Sequence, residues 1–196
     1  NLITIAKKNV EIIDLKKKVS IETRDLIYDK KNNYLESKNS STINDEFKNT
    51  LKVSYFLYNF NNGVLKFKDI HLKDTDDNNF FIKAAYLNTI TNELIGNDIL
   101  VNLDNKSFNK DNEPRIKGKS IFYQNKIAEI NKGVFTTCKK TDKCPPWQIF
   151  AEQVKHNPEN QTINYKNAFL KVYNVPVMYF PKFFHPDPTV KRKSGF

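Results

Sequence analysis

The chain has 196 residues, 39% of them hydrophobic, which is enough for one large domain or a domain with a short extension. Its 5 Gly and 8 Pro exclude collagen-like and Pro/Gly-rich low-complexity sequence, and no stretch reaches the roughly 20 apolar residues of a membrane-spanning helix. A net charge of +10 suits a polyanionic partner, whether nucleic acid, an anionic membrane or a phosphorylated ligand; because Lys is spread along the chain, the total selects none of them.

The first residues, Asn1-Leu2-Ile3-Thr4, carry neither an initiator Met nor a signal peptide, as expected of a processed or excised piece. From there onward apolar residues alternate with period two, and long helical periodicity is missing. The 15 Phe and 9 Tyr add to the β preference. Residues 5–14 line up with residues 36–45. Ile27-Tyr28-Asp29 followed by Asn33-Tyr34-Leu35 recurs as Leu57-Tyr58-Asn59 followed by Gly63-Val64-Leu65. Later copies are Tyr86-Leu87-Asn88 with Glu93-Leu94-Ile95, and Val154-Lys155-His156 with Thr162-Ile163-Asn164. Turn-forming clusters at 29–33, 59–63, 91–92 and 156–160 separate the runs, because Asn, Asp and Gly tolerate the positive φ of tight turns.

Within the runs, Phe80, Ile82, Ala84 and Tyr86 are predicted on one face of a strand. Ile99, Val101 and Leu103 share the face of the next, and Phe169, Lys171, Tyr173, Val175 and Val177 form a later run. A repeat of about 30 residues implies stacked units, since one strand-turn-strand pair cannot bury its own apolar face. The predicted fold is all-β: an open, twisted β-jelly roll built from stacked antiparallel strand-turn-strand repeats. Apolar side chains on its inner face suit a filled core or a groove equally.

Catalytic and metal signatures are missing. His71, His156 and His185 lie far apart beside turns, where a solvated surface role is expected, and acidic pairs such as Asp76-Asp77 sit in polar turns. No G-x-S-x-G elbow, phosphate loop or H-E-x-x-H helix occurs, so neither catalysis, a cofactor nor a metal is predicted. Cys138 and Cys144 lack the further ligands of a zinc site. In an oxidising compartment they form a local disulfide worth roughly 2–3 kcal/mol in the chain-entropy model; in a reducing one they stay thiols. Trp147, after Pro145 and Pro146, is expected to anchor a strand.

From residue 133 onward a family likeness appears. Gly133-Val134-Phe135-Thr136-Thr137-Cys138 is followed by Pro146-Trp147-Gln148-Ile149-Phe150-Ala151, by Asn167-Ala168-Phe169-Leu170-Lys171-Val172, and by Val175-Pro176-Val177-Met178-Tyr179-Phe180-Pro181. Lys191-Arg192-Lys193-Ser194-Gly195-Phe196 closes the series. In this order the segments resemble the LptD family (also called Imp or OstA), which inserts lipopolysaccharide into the Gram-negative outer membrane. The earlier region resembles the OstA-like repeats shared with LptA and LptC.

The resemblance implies residues 1–175 as a periplasmic jelly-roll domain. Residues 176–196 become a hinge, with Pro176, Pro181, Pro186 and Pro188, leading to a transmembrane barrel of several hundred further residues. That hinge is expected to be extended and poor in ladder bonds. Lipopolysaccharide would enter a hydrophobic groove, with strand parity nominating Leu65, Phe67, Phe80, Ile82, Tyr86, Ile99, Val101 and Leu103 as its lining. Leu2, Ile3, Ile5, Val10 and Ile12 would form the edge strand that pairs with the bridge protein LptA. LptE would join the full-length barrel, and no nucleic acid is expected. In the family the cysteine at the Cys138 position pairs with a barrel cysteine; here Cys144 offers a local partner. Two other functions compete: an LptA/LptC-like bridge protein, disfavoured by the closing Arg192–Phe196 motif, and a basic β-domain binding nucleic acid, which needs a one-sided cationic and aromatic surface.

Overall fold

The structure, a computed structural model, describes residues 2–15, 18–75, 77–104, 111–141 and 145–186. Among them all regular structure is β. The strands are β1 (Ile3–Asp14), β2 (Val19–Asp29), β3 (Tyr34–Ser37), β4 (Ser41–Asn44), β5 (Thr50–Val53), β6 (Tyr55–Asn59) and β7 (Val64–Lys73). They continue as β8 (Asn79–Asn88), β9 (Glu93–Asn102), β10 (Arg115–Gln124), β11 (Ile127–Thr136), β12 (Trp147–Asn157), β13 (Thr162–Val172) and β14 (Val175–Pro186). All resolved ladders are antiparallel, so the all-β, jelly-roll-like prediction holds.

Two compact units divide the chain, residues 1–99 and 100–196. In the first, β2 pairs with β1 along its length, then with β4 near its start and β3 near its end. β7 likewise pairs with β6 at its start and β5 at its end. The short strands β3 and β4 are therefore two halves of one long strand broken at Lys38–Ser40, and β5 and β6 are halves of another broken at Ser54. The second unit is a plain meander in the order β10-β11-β12-β13-β14.

Short side chains fix the turns. Asp29 Oδ1 accepts the Lys31 and Asn32 backbone N–H groups at 2.9 Å, and these bonds hold its carboxyl below the usual carboxylate range. Asp45 and Asp74 each bind the Asn four residues on, Asn49 and Asn78, through both backbone and side chain. Such Asx caps are why the polar clusters in the sequence mark strand ends.

Each long strand also has a corner. Two consecutive outward residues separate two inward ones, as in Phe67-Lys68-Asp69-Ile70, Gly96-Asn97-Asp98-Ile99, Ile130-Asn131-Lys132-Gly133 and Tyr165-Lys166-Asn167-Ala168. Asp69, Asp98, Lys132 and Asn167 take positive φ of 48°, 51°, 51° and 51°, which spoils the local ladder geometry. The ladders accordingly skip Asp69 against Lys83, and Lys132 against Glu152. These left-handed residues are what recur every 30 residues or so.

Two expectations are corrected. Residues 169–177 are not one run, because Tyr173 and Asn174, at φ 46° and 67°, form a two-residue turn between β13 and β14. Nor is the proline series poor in ladder bonds: Val175–Pro186 pairs with β13 along its length. Only one side of an edge strand needs donors, and Pro181 falls at the corner where pairing is skipped anyway. Pro188 lies outside the described residues.

Candidate functional site

The register aligns inward side chains into rows that run across the strands. In the first unit one row is Ile12↔Ile21↔Ile43↔Leu51↔Leu72↔Phe80, crossing β1, β2, β4, β5, β7 and β8. Every member is half-buried. On the other side of the corner Tyr28, Leu35, Tyr58, Leu65 and Leu87 form a second half-buried row. Between the two lies the sealed corner, where Phe56 (1% exposed), Phe67 (4%) and Ala85 (0%) face Ile70 and Ile82.

The corner also holds hydroxyls. Thr23 and Ser37 Oγ atoms lie 2.8 Å apart, and Ser41 Oγ donates to Thr23 Oγ1 at 2.9 Å. Each buried hydroxyl therefore has a partner, so this polar seam costs little.

In the second unit Ile116↔Phe135↔Ile149↔Leu170↔Met178 and Ile121↔Ile130↔Val154↔Tyr165↔Phe183 are the corresponding inward rows. The row between them is made of small residues, Gly133↔Ala151↔Ala168, and ends at Phe180. A Cβ on Gly133 would meet Val154 Cγ2 at 2.6 Å. The corner closes only because that Cβ is missing.

Aromatic side chains gather at the β14 end. Tyr165 Oη shares a 2.9 Å hydrogen bond with His185 Nε2, and burial pushes the Tyr165 hydroxyl pKa up. Phe135 stands edge-on to Trp147 at 6.0 Å. His185 is thus half-buried among rings, and His71 stacks on Phe81 at 4.4 Å while bonding Asn79. Neither has the solvated surface role the sequence predicted, because neighbouring strands deliver aromatic partners no local pattern reveals.

The predicted groove positions divide. Phe67, Ile82, Ile99 and Val101 are buried on inner faces, and Leu65 and Phe80 belong to the half-buried rows; Leu103 is half-buried beyond β9, its N–H bonded to Pro114 O. Tyr86 does not belong with them. It is 47% exposed, with Lys66 Nζ 5.4 Å from its ring centroid, because the Lys83-Ala84 corner resets the alternation and turns Ala85 and Leu87 inward instead. On the opposite face Tyr55, half-buried and bonded to Glu36, has its hydroxyl pKa pushed up to about 12 by burial and by that carboxylate.

Among the described residues β1 pairs only with β2, so its other side is a free edge. Its predicted residues split at the Lys8–Asn9 irregularity, where both φ values are positive. Leu2, Ile3 and Ile5 are more than half exposed, while Val10 and Ile12 are half-buried with the inner rows.

Cys138 is a free thiol in this structure, its Sγ 3.5 Å from Trp147 O. Cys144 lies outside the described residues, and so does the pairing of the two. Buried Arg115 pins the Cys138 loop by donating to the carbonyls of Glu113, Cys138 and Lys139. No group of three or more His, Cys, Asp or Glu among the described residues could hold a metal. No helix there is long and apolar enough to cross a membrane.

No family model matches the chain. Curated relatives do. A segment of 112 residues, 53% of this chain, is 27% identical to the LPS-assembly protein LptD of Pseudomonas fluorescens, covering 12% of that protein. LptD of Yersinia enterocolitica is 36% identical over 73 residues, 37% of this chain and 9% of the relative. LptD of Xanthomonas euvesicatoria is 29% identical over 76 residues, 39% of the chain and 9% of the relative. The matched stretches thus span about a tenth of these relatives' length. Several partial matches under one name make the chain similar to LptD proteins over these stretches.

Proposed function

We propose that this chain is a lipopolysaccharide-handling domain of a Gram-negative outer-membrane assembly protein. The acyl chains of lipid A lie along its inner rows at the periplasmic face of that membrane. The observation that carries the reading is the row Ile12–Ile21–Ile43–Leu51–Leu72–Phe80, apolar at every strand and beginning on the free edge.

The physics of transport fits such a row. Each CH₂ left in water costs about 0.8 kcal/mol, so one fourteen-carbon chain costs on the order of 10 kcal/mol. Strands about 4.8 Å apart carry a six-residue row over roughly 24 Å. A single acyl chain, half of the roughly 30 Å hydrocarbon core of a bilayer, needs about 15 Å. The free edge of β1 then receives a strand of an LptA-type bridge protein, which prolongs the apolar face by main-chain hydrogen bonds. Onward passage leads past β14 into a barrel joined by LptE, with Pro176, Pro181, Pro186 and Pro188 at the junction. The Cys138 thiol, free in the structure, is available to close a local disulfide with Cys144 in this oxidising compartment. The chemistry is non-covalent throughout, with no catalytic step.

Trp147 offers the test, because it is the single Trp of the chain and stands beside inner-row Phe135. Lipid A with brominated acyl chains is expected to quench its fluorescence saturably, whereas the deacylated sugar backbone leaves it unchanged. Equal quenching by both, or by neither, contradicts the proposal.

A further inference from the structure

The two free edges differ in chemistry. β1 contains no proline, so every residue keeps its backbone donor. β14, which pairs only with β13 among the described residues, contains Pro176, Pro181 and Pro186. The Tyr173-Asn174 turn, with both φ positive, makes Val172 and Val175 its hydrogen-bonded closing pair. Pro176, the next residue, then belongs to a non-hydrogen-bonded pair, and its ring nitrogen faces the outer side of the strand. An added strand would meet a missing donor there, another interruption at the Pro181 corner, and a third proline at the end of β14.

This edge, closed to strands, is nonetheless apolar. Val175, Val177, Tyr179 and Phe184 are 61%, 54%, 49% and 67% exposed. The outer face beside it departs from ordinary alternation, in which an antiparallel sheet turns polar residues outward. Val134, Phe150, Phe169 and Tyr179 stand directly opposite one another across β11 to β14. Lys171 Nζ lies 5.0 Å over the Phe150 ring, and exposed Lys132, Lys166 and Lys182 stand about the row, while the nearby carboxylates are engaged, Glu152 by Asn167 and Glu129 by Lys155 at 2.8 Å.

We propose that β14 and this aromatic row rest in the headgroup region of an anionic lipid bilayer. Apolar contact without strand pairing is what a lipid interface provides and what a β-partner or a second copy in edge-to-edge register does not use. Aromatic rings settle at that depth, and lysines reach outward to lipid phosphates. The proposal goes beyond lipopolysaccharide handling: it concerns the outer face, not the inner rows, and can fail or hold by itself.

Flotation of the 196-residue chain with vesicles tests it, using phosphatidylglycerol mixed into phosphatidylcholine against phosphatidylcholine alone. The chain is expected to float with the mixed vesicles. Binding should fall roughly tenfold in the Val177→Ser/Tyr179→Ser/Phe184→Ser variant and also in Lys171→Glu/Lys182→Glu, with near-ultraviolet circular dichroism unchanged. The second variant keeps the test valid if the first fails to fold. Equal binding by wild type and a folded variant overturns the proposal. So does a wild type that stays with the aqueous phase, a dimer dissolved by the same substitutions, or an oligonucleotide that binds this face and displaces the vesicles.

Discussion

Gly133→Val is expected to destabilise the protein by about 2–3 kcal/mol, measured as a lowered urea midpoint with an unchanged slope. The reason is room. Gly133 shows no positive φ, so its lack of a side chain is not a backbone requirement; the Cβ position is taken by a methyl of Val154 2.6 Å away. Val154 is β-branched, 3% exposed and held between Ile130 and Tyr165 in its row, so it cannot rotate aside. Against a net stability of roughly 5–15 kcal/mol such a loss is large. A double-mutant cycle isolates the cause: in a Val154→Ala background the added cost of Gly133→Val should shrink by at least half. If the two substitutions simply add, the corner is not the tight point identified here.

Leu51→Asp/Leu72→Asp is expected to weaken binding of lipid A more than tenfold, followed by co-elution of radiolabelled lipid with the protein on gel filtration. Both leucines are half-buried on the inner face and directly opposite each other in the row. Two carboxylates there break the apolar surface in its middle and must be desolvated under any acyl chain laid across them. Because these positions retain solvent access in the free chain, folding should suffer less than binding. A variant that unfolds is separated from one that only loses lipid by its circular dichroism. Undiminished binding by the folded variant would place the lipid elsewhere.

Much of this is legible in the sequence alone. Period-two alternation and Asx-rich turns locate the strands, since both follow from local chemistry: side chains alternate on a pleated strand, and Asp29, Asp45 and Asp74 cap their own turns. Facing was harder. A corner turns two consecutive side chains outward and inverts everything beyond it; β8 has one at Lys83-Ala84 without any positive φ, and strict alternation therefore puts Tyr86 on the wrong face. The signal is present but weak: an apolar-polar-polar-apolar quartet, as in Phe67–Ile70 and Tyr165–Ala168. Lys132 could not be anticipated, because lysine carries no preference for positive φ. The proline series misled for another reason. Proline is excluded from ladders only on the side that must donate, and an edge strand has one side free. Rows such as Ile12–Phe80 depend on register between residues far apart in sequence, which no local pattern encodes.

Photo-crosslinking places the lipid most directly. A p-benzoylphenylalanine introduced at Leu72, on the inner row, or at Tyr86, on the outer face of the adjacent strand, samples two surfaces of one sheet. In bacteria exporting lipopolysaccharide, the full-length protein should yield a lipopolysaccharide adduct from position 72 and none from position 86. Adducts from position 86 alone would contradict an acyl-chain path along the inner rows.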